Sequence, residues 1–119
     1  EKNINFINCN LINLNQKFDI IVSNPPYLSD SEYLNCIEQI KYEPKIAFLG
    51  GKDGMKFYRK ICQILPKIMH NQSMCLLEIG YNQATDIKKI FNKNNIHCHK
   101  IIKDLQKNNR VLVLKQNSC

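Results

Sequence analysis

Hydrophobic and polar positions follow one another in blocks of changing period, and the periods predict strands and helices in succession with no internal repeat. Ile4 to Cys9 predicts a short strand. Phe18-Asp19-Ile20-Ile21-Val22-Ser23 predicts a second, nearly all apolar as in a strand covered on both faces. It must stop at Asn24-Pro25-Pro26-Tyr27, because two consecutive prolines remove two backbone donors and fix φ. Ser29 with Glu32 three residues on has the form of a capping box and opens a short helix to about Ile40. Tyr42 to Asp53 holds glycines and reads as a loop. Asp53 is the expected N-cap of a helix in which Tyr58, Ile61, Cys62, Leu65, Ile68 and Met69 recur at helical spacing, with Pro66 marking a kink or the final turn. Ser73 to Ile79 reads as a buried strand closed by Gly80. Residues 83–93 read as a helix with Ala84, Ile87, Ile90 and Phe91 on one face. Ile96 to Ile102 and Arg110 to Leu114 follow as two strands joined by a polar turn. This order predicts an α/β fold with mostly parallel strands.

The length, 119 residues, is that of one ordinary domain. With 44% hydrophobic and 23% charged residues the chain is too apolar to be intrinsically disordered, and no apolar run approaches the ~20 residues of a membrane helix. No membrane association is expected. Glu1-Lys2-Asn3-Ile4 has neither an initiator Met nor a secretory signal, so the chain is expected to begin within a gene. The net charge of +7 is compatible with nucleic-acid affinity. Composition offers another origin, since fifteen of the seventeen cations are Lys, and Lys, Asn and Ile together make 48 of 119 residues, as an A/T-rich genome would produce. The six cysteines form no CxxC pair, and Cys9, Cys62, Cys75 and Cys98 lie in apolar stretches, which points to reduced thiols in a cytoplasmic protein. On a strand, His97 and His99 of His97-Cys98-His99 share a face without further ligands nearby in sequence, so no metal site is expected.

In open α/β sheets ligands sit beyond the carboxyl ends of the strands, and Asn24-Pro25-Pro26-Tyr27 lies at such an end. An Asn side chain offers an acceptor and two donors in one plane, matching a substrate amide or exocyclic amine. Proline cannot donate, so the backbone here presents carbonyl oxygens able to accept from an NH2 group, while the Tyr27 ring can lie against a flat substrate. Together they would grip a planar nitrogen by its hydrogens and leave its π-face open. The competing reading is a rigid turn in which Asn24 only caps its own backbone.

The segment from Phe18 to Tyr27 resembles the catalytic segment of the S-adenosylmethionine-dependent amino methyltransferases, which carry NPPY or DPPY after their fourth strand. That tetrapeptide alone leaves adenine-N6 DNA, guanine-N2 RNA and protein-glutamine methyltransferases open. Further matches follow in order and spacing: Tyr42-Glu43-Pro44 with Ala47, Gly50-Gly51-Lys52-Asp53-Gly54, Phe57-Tyr58-Arg59, Leu76-Leu77-Glu78-Ile79-Gly80 with Gln83, and Lys103-Asp104-Leu105 with Arg110-Val111. These are similar to the release factor glutamine N5-methyltransferases. The resemblance implies a Rossmann-like class I methyltransferase sheet and methyl transfer to the side-chain amide of the glutamine in the Gly-Gly-Gln motif of peptide chain release factors. It implies Asn24, Pro25, Pro26 and Tyr27 as catalytic and substrate-binding residues. Asn24 would accept a hydrogen from the glutamine NH2 and lie beside the methyl donor, its one cofactor contact here. The Pro25 carbonyl would take the second hydrogen, Pro26 would shape the turn, and Tyr27 would pack on the amide plane.

The other matched residues invite structural roles: Glu43 as a loop anchor or substrate contact, Asp53 as a helix cap, Glu78 held by a backbone or hydroxyl donor, and Arg110 fixing the last turn by pairing with Asp104. Against the family pattern, the glycines at 50, 51, 54 and 80 leave no glycine-rich loop after an early strand, and Asn10 stands where an Asp is usual. Lys107 and Asn109 replace a Gly and an Asp in the last turn. Residues 1–119 are therefore expected to be a partial methyltransferase catalytic domain, the C-terminal part only. Its first strands are absent, its donor site lies mostly outside the chain, and it is inactive alone. A nucleic-acid amino methyltransferase acting on adenine N6 or guanine N2, and an inactive gene fragment, stay open beside it.

Overall fold

In the computed structural model, residues 4–7, 14–34 and 49–117 are described. Apolar periodicity becomes β1 (Phe18–Ser23), α1 (Lys56–Ile68), β2 (Met69–Glu78), α2 (Ala84–Asn92), β3 (Ile96–Lys103) and β4 (Asn109–Gln116), with a helical turn at residues 30–34. The capping box forms as expected: Ser29 N–H donates to Glu32 Oε1 at 3.1 Å and Glu32 N–H to Ser29 Oγ at 3.2 Å. The rest of that helix, to Ile40, falls outside the described residues.

The sheet runs β1-β2-β4-β3, with β1 parallel to β2 and β4 antiparallel to both of its neighbours. The mostly parallel strands expected from the strand-helix alternation are present among the described residues, and β4 is the strand that runs against the others. A five-residue connection, 104–108, joins β3 to β4, and so short a link permits only an antiparallel return. Having turned back, β4 takes the place beside β2, yet β1, β2 and β3 still point the same way.

The apolar faces of both helices close over the sheet. Tyr58, Ile61, Cys62 and Leu65 of α1 and Ile87 and Phe91 of α2 pack with Cys75, Leu77 and Ile79 and with Leu112 and Leu114 of β4. Cys75 is a buried free thiol that burial pushes up to about 12, and Cys62 is pushed up in the same direction. At β1 only one face is covered among the described residues: Ile21 packs on the core, whereas Ile20 is 64% and Val22 74% exposed. The expected strand at Ile4 to Cys9 is also corrected. Residues 4–7 have no regular structure and Phe6 is 95% exposed, because a strand forms only against a partner that takes its backbone groups, and no described residue runs beside it. Residues 8 and 9 fall outside the described part.

Two boundaries move for local reasons. Asp53 is not the N-cap of α1: Met55 is, without a side-chain cap, while Asp53 Oδ1 accepts from Met55 N–H at 2.9 Å and its carboxylate pairs with Arg59. Gly51 and Gly54, both at positive φ, insert a turn there that delays the helix. At the far end Pro66 sits in the last turn, and Lys17 Nζ donates to Met69 O at 3.0 Å, setting a cation where the helix carbonyls run out. β2 starts at Met69, earlier than the pattern indicated, and pairs with Phe18 before the register slips to Ile20 against Met74. The extra residues are held by Ser73, whose Oγ donates to Phe18 O at 2.5 Å and accepts from His70 N–H at 2.9 Å. Among the described residues no helix is long and apolar enough to cross a membrane.

Candidate active site at the strand ends

Parallel pairing of β1 and β2 brings their carboxyl ends level, with Ser23 beside Leu77. Asn24-Pro25-Pro26-Tyr27 therefore leaves the sheet next to Glu78-Ile79-Gly80. All four expected site residues lie in this turn, with Asn24 exposed, Pro25 buried, and Pro26 and Tyr27 half-buried. A cavity of about 320 Å³ opens beside Tyr27 and is lined also by Leu28, Glu32, Gly80, Tyr81, Asn82, Gln83 and Arg110.

The glycines are packed against the turn. A Cβ on Gly50 would stand 2.7 Å from Pro26 O and 2.9 Å from Tyr27 Cα; one on Gly54 would stand 2.5 Å from Tyr27 O; one on Gly80 would stand 3.1 Å from Tyr27 Cδ2. At Gly50 and Gly54, where the neighbours are backbone atoms, only a residue without a side chain permits the approach. Gly50 N–H adds a hydrogen bond to Leu28 O at 2.8 Å, beside the bridge between Leu28 and Leu49.

Side chains distant in sequence complete the support. Gln83 Nε2 donates to Tyr27 O at 2.9 Å, and Arg110 Nη1 donates to Tyr27 Oη at 3.4 Å. The expected pairing of Arg110 with Asp104 is present at 3.2 Å, and Arg110 also donates to Ile79 O at 3.4 Å. Sequence reasoning placed Arg110 in the last turn and missed its reach to Tyr27. It noted Gln83 without a role, although a polar residue three positions after the glycine closing a strand was the available signal. Lys107 adopts φ 67°, the left-handed region that favours glycine, so the Gly expected there from the family pattern would suit this backbone. The hydroxyl expected near Glu78 is that of Tyr58, which donates at 2.9 Å to the backbone carbonyl of Glu78 and not to its carboxylate. Glu43 and Asn10 fall outside the described residues.

Asp104 Oδ1 accepts from the backbone N–H of Asn108 at 3.0 Å and of Gln106 at 2.9 Å. The Asn108 N–H first, with Arg110 and the Gln106 N–H behind it, holds its carboxyl below the usual 3.8. A carboxyl lowered in the folded state stabilises fully above its unfolded value and loses that contribution as pH falls through its lower folded value. The Tm of the unsubstituted chain is expected to drop as pH falls below the usual carboxylate value. Asp104→Asn should start lower and drop less over that range, read by thermal melts at each pH.

No protein-family model matches the chain. It is 40% identical to the release factor glutamine methyltransferase of Fusobacterium nucleatum over 119 residues, which cover 97% of this chain and 34% of that protein. It is 33% identical over 99 residues to the protein of that name in Bacillus cereus, covering 82% of this chain and 35% of the relative. The chain is thus similar, over most of its own length, to release factor glutamine methyltransferases. It spans about a third of the length of those relatives. It is also 43% identical over 98 residues to the bifunctional methyltransferase of Rickettsia prowazekii, covering 82% of this chain and 19% of that one. A ribosomal protein L11 methylase from Lactobacillus delbrueckii subsp. bulgaricus superposes with a TM-score of 0.50 at 15% identity, covering 91% of this chain and 41% of that one, a likeness of fold. The sheet is that of the class I methyltransferases, as expected.

Likeness to methyltransferases implies S-adenosylmethionine. The described residues do not form a cradle for it, since Gly50, Gly54 and Gly80 are packed on the turn from Asn24 to Tyr27 and none is free to admit a ligand's backbone contacts. Among the described residues no group of three His, Cys, Asp or Glu is placed to hold a metal ion.

Proposed function

We propose that residues 1–119 are the acceptor-side part of a methyltransferase catalytic domain that methylates the side-chain amide N5 of the glutamine in the Gly-Gly-Gln motif of peptide chain release factors. The observation that carries this reading is the turn itself: Asn24 faces solvent at the end of β1 while the backbone behind it is held by Gln83 and closely packed by Gly50 and Gly54. In this reading Asn24 Oδ1 accepts one amide hydrogen and the Pro25 carbonyl the other, Pro26 sets the bend, and the Tyr27 ring supports the amide plane.

An amide nitrogen is a poor nucleophile because its lone pair is delocalised into the carbonyl. Two acceptors fixed beyond its hydrogens favour a pyramidal nitrogen and aim the lone pair, and such positioning contributes without any group changing its protonation first. The cavity beside Tyr27 is assigned to the peptide flanking the glutamine. S-adenosylmethionine supplies the methyl group in this reading, and its cradle is assigned to the two-thirds of the relatives that the chain does not span. Asn24 is the described residue that would border it. Action on release factors sets the protein in the cytoplasm.

The test is methyl transfer by the polypeptide that carries this chain, with a release factor and labelled donor, read by peptide mapping. One added methyl on the Gly-Gly-Gln glutamine is expected. The charge of +7 favours nucleic acid as a second acceptor class. Methylated adenine or guanine with an unmodified release factor would replace the first reading by the second.

A further inference from the structure

We propose that Gln83 is a positioning residue for the methyl-acceptor turn, acting through the Tyr27 carbonyl; the inference rests on the reading of that turn given above. Gln83 occupies the N-cap of α2 yet makes no capping hydrogen bond with its side chain. Ser, Thr, Asp or Asn at this position would satisfy a free helix N–H, so the local preference for stability is set aside. The longer amide instead reaches away from its own helix to a residue 56 positions earlier, where Nε2 donates to Tyr27 O at 2.9 Å.

Its other end is equally committed, since Oε1 accepts from Gly80 N–H at 2.9 Å. The two partners fix the orientation of the amide: an N–H must face the oxygen and a carbonyl must face the nitrogen. Gln83 is 6% exposed, and its bond to Gly80 is buried and that to Tyr27 partly so, where an unmatched end would be costly. Room for it depends on Gly54 and Gly80. A Cβ on either would come within 2.9 Å of the amide. The Tyr27 carbonyl belongs to the last residue of the turn, and fixing it limits how far Pro25 and Asn24 can swing.

Gln83→Glu separates this role from a merely structural one. The substitution keeps an acceptor toward Gly80 and replaces the donor toward Tyr27 with an oxygen. When ionised, that oxygen repels the carbonyl and frees the turn. When protonated, it can donate and restore the bond. Burial beside a carbonyl favours the neutral carboxyl, bringing the change nearer to neutral pH.

In the polypeptide that carries the chain, kcat for release-factor methylation should fall by about 10- to 100-fold above the carboxyl's titration with KM little changed. It should recover as pH is lowered, in a limb the unsubstituted protein lacks. Hydrogen exchange at Gly50, whose N–H bonds Leu28 O next to Tyr27, should quicken and recover over the same pH range. Exchange and kcat that both ignore the substitution would overturn the proposal. If the unsubstituted protein leaves release factors unmodified but Gly50 exchange follows the titration, the positioning role stands and the function reading falls.

Discussion

Asn24→Ala lowers methyl transfer to the release-factor glutamine by about 100-fold or more and leaves stability within about 0.5 kcal/mol. The two effects separate because Asn24 is exposed at the end of β1, so truncating it opens no cavity in the core. Its carboxamide oxygen is assigned to a hydrogen of the substrate amide, and a preorganised partner of that kind typically contributes a few kcal/mol to the barrier. Asn24→Asp keeps an acceptor oxygen and should retain more activity than the alanine variant. Single-turnover rates with thermal melts on the same preparations decide the matter. An alanine variant within a few-fold of the parent would remove Asn24 from the chemistry.

Gly54→Ala should destabilise the protein by about 3 kcal/mol or more. Two causes add at this position. The backbone sits at φ 78°, which favours glycine, and the new Cβ would meet Tyr27 O at 2.5 Å and Gln83 Nε2 at 2.9 Å. Neither neighbour can retreat easily, since one is backbone and the other is bonded at both ends. Gly51→Ala isolates the first cause, the strain of positive φ. Its φ is 89°, but the nearest atom is Lys56 Cβ at 3.0 Å on a side chain that is exposed. A loss of about 1 to 2 kcal/mol is expected there. Urea unfolding of both variants reads the difference, and equal losses would mean that close packing on the turn contributes nothing beyond strain.

What the sequence makes legible depends on how far apart the interacting residues lie. Tyr58, Ile61, Cys62 and Leu65 carry the signal of α1 within a few turns, and the double proline after an apolar strand marks the acceptor turn within ten residues. The misreadings have nearby causes too. Asp53 looks like a cap because the sequence does not display the positive φ of Gly54 that postpones the helix. Ile4 to Cys9 has a strand pattern, but pairing is not a property of one segment. The two-sided apolar character of β1 likewise does not show which face finds a cover, and Ile20 and Val22 remain exposed. Family resemblance located Asn24 to Tyr27; it did not supply the hydrogen bonds from Gln83 and Arg110, which join residues separated by 56 and 83 positions.

Those separations have a kinetic consequence. Closing a long loop costs chain entropy before any contact repays it, so bonds between distant residues form after the helices and the β3-β4 hairpin. The turn from Asn24 to Tyr27 is then expected to become rigid after α1, α2 and the β3-β4 hairpin. On warming it is expected to loosen before them, because its anchors on Tyr27 can open without unravelling α1 or α2. Catalytic competence should therefore fade at temperatures where the helical circular dichroism is still complete.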